Sequence, residues 1–452
     1  MSKPIDVHCH IFNKDVLTYR IVFGLIESLV YAAIYKQQEQ INKADVQVLS
    51  VEMKKIYNFV KTGMAASSLD IYQNMESEYM KVFGEDFIAV PLTFDLYFCF
   101  KGSMKIKKQE QISTGEMKEL SREMKGEVNR LINQLDTDMR QIDLIKDSPN
   151  DKPQEIINFE QTKEDLKEMV NYFKDRLTFS IKELMDIKLV GSFKRQLIEV
   201  QKVREKFPDK VFPFYAADPR RFNIVGHIKK NIQKSGPYYG VKVYAPNGYS
   251  PTDPDMQKIY DYCSAQNLPI TAHCSHVGFA GFENTIRING IINDPEKGLI
   301  ELKKEDYSFS TPFLGKNWVE ERASVLNDPI IWELMLEKFP NMKLNLAHFG
   351  KWPKGNVWTD KIFEMMHRFP NLYTDLSCFS ERDKLVEFKE LYWSKATESV
   401  KKRFMYGSDF YLNLVFSNSF NEYLNNFKEV FTTEEFNQIA ITNPRRFLGI
   451  DI

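Results

Sequence analysis

Eight short apolar runs, rich in β-branched and aromatic residues, recur along the 452-residue chain and constrain its fold more than any other feature. They lie at 3–10, 87–95, 211–217, 239–245, 268–274, 342–348, 371–377 and 402–409. Several neighbouring runs are separated by about 30 residues, the length of one strand-helix-strand unit. This alternation indicates a parallel sheet, and eight units favour a closed barrel over an open sheet. We therefore predict an α/β protein whose residues 1–452 form one (β/α)8 TIM-like barrel.

Helical patterns fill the intervals between several runs. Residues 253–265, 328–339 and 360–369 repeat apolar side chains at helical spacing, and Asn and Pro residues follow each of them. The segment 101–195 is charged and carries two apolar stripes of helical period, with a turn signal at 148–151. It predicts a helical hairpin inserted after the second strand, which packs on the barrel or on a second subunit. A homodimer is therefore an expectation.

The segment 275–328 is the other long interval, and it is rich in Gly, Asn, Asp and Pro. It follows the fifth predicted strand. Because barrel enzymes build substrate pockets from loops in this position, we predict a pocket-forming or lid insertion there.

Composition and charge exclude several classes of protein. The formal net charge is −1 with both signs interleaved, unlike the basic surface of a nucleic-acid-binding protein. The five cysteines form no Cys-X-X-Cys pair, which fits a reducing compartment and a cytoplasmic location. No secretory signal is visible. The apolar run at 21–34 is too short to span a bilayer, so we predict a buried or lid-forming helix and no membrane partner.

Four histidines and one aspartate stand at the ends of predicted strands. His8 and His10 alternate in the first run and so share a face, while His273, His348 and Asp409 end the fifth, sixth and eighth barrel strands. The carboxyl ends of barrel strands form the active-site face, so these side chains should converge. Imidazole and carboxylate suit zinc, and also iron, manganese or nickel. A single strand-end histidine is commonly structural, but this whole set predicts a divalent metal site.

Three further residues are weaker candidates. Lys242 lies on the fourth predicted strand. His276 lies three residues after His273, and it either faces the pocket or is a loop histidine without a role. Arg287 either holds a substrate carboxylate or is an ordinary surface arginine.

These motifs resemble the amidohydrolase superfamily, in its amidohydrolase-related (amidohydrolase 2) branch. The similarity runs through 5–10, 213–221, 240–244, 269–273, 346–350, 372–377, 406–410 and 443–449, and it covers the chain except the inserted segments. The resemblance implies a (β/α)8 barrel and a divalent metal, usually zinc. Members with two metals carry a carboxylated lysine at the end of strand four. Lys242 lies farther from that strand end, so we favour one metal over two.

The resemblance also implies roles for the strand-end residues. His8, His10, His273 and Asp409 resemble the metal ligands. Asp409 also resembles the catalytic aspartate that takes the proton of the attacking water. His348 resembles the catalytic histidine that holds this water or polarises the substrate.

The leading functional prediction is a metal-dependent hydrolase that attacks an amide, lactone or ester of a small molecule with activated water. The alternative is a metal-dependent, non-oxidative decarboxylase of an aromatic or semialdehyde carboxylic acid, because such enzymes in this branch use the same ligands. A non-catalytic barrel scaffold would be expected to lose ligands, and all five residues are present. Phosphoesterases with an N-terminal His-X-His usually continue with a Thr/Ser-Asp-Gly element, whereas residues 11–15 read IFNKD.

Overall fold

The computed structural model describes residues 3–13, 43–95, 97–100, 129–145 apart from 131, 134 and 138, 153–184, 189–233, 236–312, 317–351 and 357–450. The helix predicted at 21–34 and the turn predicted at 148–151 lie outside these residues. No helix in the described part of the chain is long and apolar enough to cross a membrane.

Ten strands are present among the described residues, and each of the eight predicted apolar runs contains one of them. The observed strands are shorter than the runs, because only their central residues form ladder hydrogen bonds. The strands are β1 Ile5–Cys9, β2 Ile88–Pro91, β3 Phe214–Ala217, β4 Gly240–Val243, β5 Ile270–Ala272, β6 Thr285–Asp294, β7 Gly298–Ser308, β8 Leu344–Leu346, β9 Leu372–Asp375 and β10 Phe404–Met405.

Eight of these strands form a parallel ring. One sheet has the order β10-β9-β8-β5-β4-β3, and β1 pairs with β2 in a second sheet. Parallel bridges between Ala89 and Val211 and between Leu92 and Phe214 join β2 to β3. A further bridge joins Cys9 to Phe410, which follows β10. These bridges join the two sheets to each other at both edges, so that together they form one closed ring, as the predicted barrel requires.

Helices flank the ring and follow most of its strands. The helices predicted from periodicity at 253–265, 328–339 and 360–369 are found with boundaries within a few residues of the prediction. The α-helices are Lys43–Gly63, Ser68–Phe83, Tyr97–Phe100, Pro153–Leu184, Leu189–Lys206, Ile224–Asn231, Pro254–Ala265, Trp318–Asn327, Pro329–Lys338, Val357–Arg368, Arg382–Phe388, Glu398–Lys401, Phe420–Val430, Thr433–Asn437 and Asn443–Leu448.

The described part of 101–195 is helical. Helical residues between 129 and 143 precede the long helix Pro153–Leu184. Leu135 and Ile142 from the first stripe, and Leu166 and Val170 from the second, are buried in the main apolar core. This segment therefore packs its apolar faces inward, as the helical period predicts.

The segment 275–328 contains an element that the sequence analysis missed. β6 and β7 form a long antiparallel hairpin, which the helix Trp318–Asn327 follows. Its tight turn pairs Asp294 with Gly298, whose backbone φ of 70° favours glycine. Alternating apolar residues on both sides of this Asp-Pro-Glu-Lys-Gly turn were the available signal. Among the described residues of this segment, those that line the cavity at the barrel mouth precede the hairpin and are Val277, Gly278 and Phe279.

Candidate metal centre

The five predicted strand-end residues meet at the carboxyl end of the ring. His8 lies on β1 and His10 directly after it, His273 follows β5, His348 lies in the short turn Ala347–Gly350 after β8, and Asp409 follows β10. All five side chains are buried and line one cavity. The ladder of β1 is irregular between Asp6 and Cys9, and such bulges re-aim individual side chains near sites.

Three of the five residues meet at one carboxylate oxygen of Asp409. Its Oδ1 lies 3.1 Å from His10 Nε2 and 3.3 Å from His8 Nε2. The other two histidines form an adjoining pair, with 3.1 Å between His273 Nδ1 and His348 Nε2. The His8 and His348 rings connect the two groups, with 4.7 Å between their centroids. His273 therefore joins the set through His348, not through direct contact with Asp409 among the described groups.

Each histidine has an acceptor on the ring nitrogen that points away from the centre. Because that acceptor takes the ring N–H, the inward nitrogen presents a lone pair, the form that binds metal ions. The outward contacts are His8 Nδ1 to Asp375 Oδ2 at 3.1 Å, His10 Nδ1 to Leu92 O at 2.9 Å, His273 Nε2 to Val277 O at 3.0 Å and His348 Nδ1 to Ser377 Oγ at 2.8 Å.

These inward atoms fit a cation. Asp409 Oδ1 is buried and has no hydrogen-bond partner among the described residues, although the lone pairs of His8 and His10 face it. Three acceptor atoms at this distance repel one another unless a positive charge lies between them. Separations near 3.1 Å are also those of atoms bound about 2.0–2.2 Å from one ion. The donor set is thus suited to a divalent metal.

The pKa shifts keep these groups in the form that binds metal. Burial lowers the pKa of His8 to about 3, although the carboxylates of Asp375 and Asp409 oppose the shift. Burial also lowers the pKa of His273 and His348. For Asp409, burial raises the pKa, but the nearby imidazoles of His10 and His8 outweigh this effect and hold the pKa below its usual range. At neutral pH, His8, His273 and His348 are therefore neutral and Asp409 is ionised.

Asp375 is a site residue to which the sequence analysis assigned no role. Its Oδ2 faces His8 and also accepts from Asn345 Nδ2 at 2.7 Å, while Oδ1 accepts from the backbone N–H groups of His348 and Ser377 at 3.0 and 3.1 Å. A carboxylate ending β9 was the signal that could have indicated it. Asp375 therefore orients two of the four histidines.

Cys378 is the second such residue. Its thiol donates to Asp409 Oδ2 at 2.9 Å, so the two oxygens of this carboxylate face different groups. His348, Cys378 and Asp409 have left-handed backbone φ values of 63°, 62° and 58°. Such strain in non-glycine residues costs about 1–3 kcal/mol each and clusters at functional sites.

The three weaker candidates lie in different surroundings. Lys242 is buried on β4 and lines the cavity, and burial lowers its pKa to about 8. His276 instead packs on Trp358, with 3.7 Å between ring centroids, and it is not among the cavity-lining residues. Arg287 is not among the residues that line the cavity. It is exposed on β6, donates to Lys304 O at 2.8 Å and lies 3.8 Å from Asp306.

The cavity in front of the cluster is small and mostly apolar, with a volume of about 120 Å³. Aromatic side chains from several loops and one helix form its walls. They are Phe12, Phe59, Phe94, Tyr244, Phe279 and Phe416. A compact organic molecule is therefore the size of ligand that fits beside the histidines.

Comparison with solved structures finds distant likenesses. A 2,6-dihydroxybenzoate decarboxylase from Rhizobium has 13% identity and a TM-score of 0.37, covering 58% of this chain and 78% of its own. A dihydroxybenzoic acid decarboxylase from Polaromonas sp. JS666, with bound manganese, has 13% identity and a TM-score of 0.35, covering 58% and 76%. A manganese complex of 5-carboxyvanillate decarboxylase from Novosphingobium aromaticivorans has 8% identity and a TM-score of 0.47, covering 99% and 96%.

Comparison of the sequence alone gives a match to a protein family over part of the chain. No curated protein matches the chain. Residues 235–450 match the sequence model of the family described as amidohydrolase, a stretch that includes His273, His348 and Asp409. Over residues 235–450 the chain is thus similar to the amidohydrolase family, and this match, together with the grouped donor side chains, supports an enzyme that uses a divalent metal ion.

Proposed function

We propose that this protein is a metal-dependent hydrolase that cleaves an amide, lactone or ester bond of a small molecule. The proposal rests on the contact of Asp409 Oδ1 with both His8 and His10. This contact places a carboxylate that can act as a base directly beside the nitrogen atoms that would bind the metal. A bound divalent ion would supply Lewis acidity and make water a nucleophile near neutral pH. His8, His10 and Asp409 would hold the ion, together with His273 beside His348.

Asp409, His348 and the aromatic walls of the cavity have separate roles in this reaction. Asp409 is ionised because its pKa is held below the usual range, so it can accept the proton of the attacking water. The inward Nε2 of His348 is a lone-pair acceptor, since its Nδ1 is engaged by Ser377. His348 therefore orients that water. The aromatic walls exclude other water and strengthen these polar interactions.

Zinc is the metal that we propose. The nitrogen and carboxylate donors accept several ions, but several imidazole nitrogens with one carboxylate favour zinc over manganese, which prefers oxygen ligands. The solved structures from Polaromonas and Novosphingobium contain manganese, so manganese is the alternative. Elemental analysis of the protein as purified would distinguish them.

Decarboxylation is the second candidate reaction, and one observation favours it. The cavity combines apolar walls with the buried cation of Lys242. Such a site can hold a carboxylate away from water, and this desolvation favours cleavage of the C–C bond to the carboxylate. Neutral carbon dioxide would leave, and the electron pair left on the substrate carbon would take up a proton from a protonated group of the site.

The test is a substrate panel with the metal-loaded enzyme. Acid release from lactones, amides and esters is measured beside carbon dioxide release from carboxylated aromatic compounds. We expect hydrolysis that falls by at least about 100-fold in Asp409→Asn, as for loss of a general base. The control Asp306→Asn changes an exposed aspartate and should keep full activity. Decarboxylation without hydrolysis would contradict the proposal in favour of the second candidate.

A further inference from the structure

We propose that Lys242 binds a carboxylate of the substrate, so that the cavity selects a small organic acid with one negative charge. This inference deepens the proposed function and rests on its metal centre. It applies to hydrolysis and decarboxylation alike, because it concerns recognition and not the bond that breaks.

The position of Lys242 is the first argument. It lies in the middle of β4, in register with Ala216 on β3 and Thr271 on β5, and its side chain reaches the cavity. The residue is 1% exposed, and its Nζ has no hydrogen-bond partner among the described residues. Buried ammonium groups are normally paired, because burying an unpaired charge is costly. A ligand anion would supply the missing partner.

Two other cations, buried Arg220 and half-buried Lys351, differ from Lys242 in this respect. Arg220 is paired with Asp218 at 2.6 Å, and Lys351 donates to Cys378 O at 2.6 Å. These groups already have acceptors supplied by the fold. The ring centroid of Tyr244 lies 6.0 Å from Lys242 Nζ. Among the described residues that line the cavity, Lys242 is therefore the cation available to a ligand.

The charge balance of the centre is the second argument. A histidine that binds a metal ion through a ring lone pair is neutral, so the negative charges beside these ligands come from Asp409 and Asp375. Asp6 does not line the cavity and is engaged by Tyr79 and Ser408. With a divalent ion present, these two carboxylates compensate the ion, and the charge of Lys242 remains. A ligand with one carboxylate restores neutrality in this poorly solvated space.

Benzoate and nitrobenzene are suitable probes. They have nearly the same shape, but only benzoate is charged, and neither contains a bond that a hydrolase cleaves. An apolar cavity of about 150 Å³ binds benzene, so one ring is a reasonable size for a volume of about 120 Å³. Binding is measured by calorimetry on the metal-loaded enzyme, with metal content determined for every variant.

We expect benzoate to bind more tightly than nitrobenzene. Lys242→Met, which keeps the volume and removes the charge, should weaken benzoate binding by about 10- to 100-fold and change nitrobenzene binding little. Lys242→Gln should give the same loss and replaces the Met variant if that protein fails to fold. The control Lys163→Met alters a lysine that is also buried but lies outside the cavity, where it is paired with Glu160 on the same helix, and it should leave both affinities unchanged.

Two results would overturn the inference. Unchanged benzoate affinity in Lys242→Met shows that the lysine does not bind the anion. Loss of one of two bound metal ions in that variant shows that Lys242 serves the metals instead. Because binding is measured without turnover, failure of the hydrolase proposal leaves this result interpretable on its own.

Discussion

Replacing Asp375 by asparagine should weaken metal binding without removing a ligand. Oδ2 of Asp375 lies 3.1 Å from His8 Nδ1 and 2.7 Å from Asn345 Nδ2, and Oδ1 accepts two backbone N–H groups. Every polar neighbour of these oxygens is thus a donor. An asparagine amide must place its NH2 group against donors on one side, whichever way it is turned.

The size of the effect follows from this geometry. If the NH2 group replaces Oδ2, His8 loses the acceptor that fixes its tautomer. If it replaces Oδ1, the turn that carries His348 loses its anchor. Loss of such a supporting carboxylate typically costs 10- to 100-fold in metal affinity, or about 1.4–2.8 kcal/mol. We therefore expect the Kd for zinc to rise by about 10- to 100-fold in Asp375→Asn.

Competition with a chromophoric chelator measures this Kd. The control Asp306→Asn makes the same change at an exposed carboxylate near Arg287 and should bind zinc as the unaltered protein does. Circular dichroism confirms that both variants are folded. A folded Asp375→Asn protein with unchanged zinc affinity would refute the assignment of His8 as a ligand oriented by Asp375.

Two other perturbations test the surroundings of the site. In Gly407→Ala, the new Cβ would lie 2.9 Å from the Cβ of His8. Thermal denaturation should therefore show destabilisation by about 1–3 kcal/mol, and the metal affinity should fall. Unchanged stability and metal affinity would contradict this close packing. Burial lowers the pKa of His276 from 6.5 to about 4, so the unfolded chain binds more protons between these values and stability should rise with pH across that window. His276→Gln should reduce this rise by about 1–2 kcal/mol, allowing for partial exposure, and an identical pH profile would oppose the assignment.

The sequence predicted the barrel because its strands are short and apolar and several neighbouring ones lie about 30 residues apart. It also predicted that His8, His10, His273, His348 and Asp409 would approach one another, since the carboxyl ends of parallel strands share one face. What it could not predict was the contact pattern within that set. The pairing of His273 with His348 depends on the turn after β8, where the backbone of His348 is left-handed.

Tertiary placement decided the other differences. Asp375 and Cys378 acquire their roles only through partners that are distant in sequence. Arg287 points to solvent because Ile286 and Ile288, its neighbours on β6, are buried and side chains alternate along a strand. The sequence analysis treated that region as a loop, so it had no face on which to place the arginine.

The seam between the first and last barrel strands has a consequence for assembly. The N–H of His10 donates to Phe410 O, and that of Ser408 donates to His8 O at 3.2 Å, so the ring closes beside the ligands themselves. Bringing together two segments some 400 residues apart costs loop-closure entropy, which the contacts at the junction must offset. An ion held by His8, His10 and Asp409 would bind residues from both sides of this junction. Metal binding would therefore stabilise the closed barrel, and the catalytic centre would be complete only when the fold is complete.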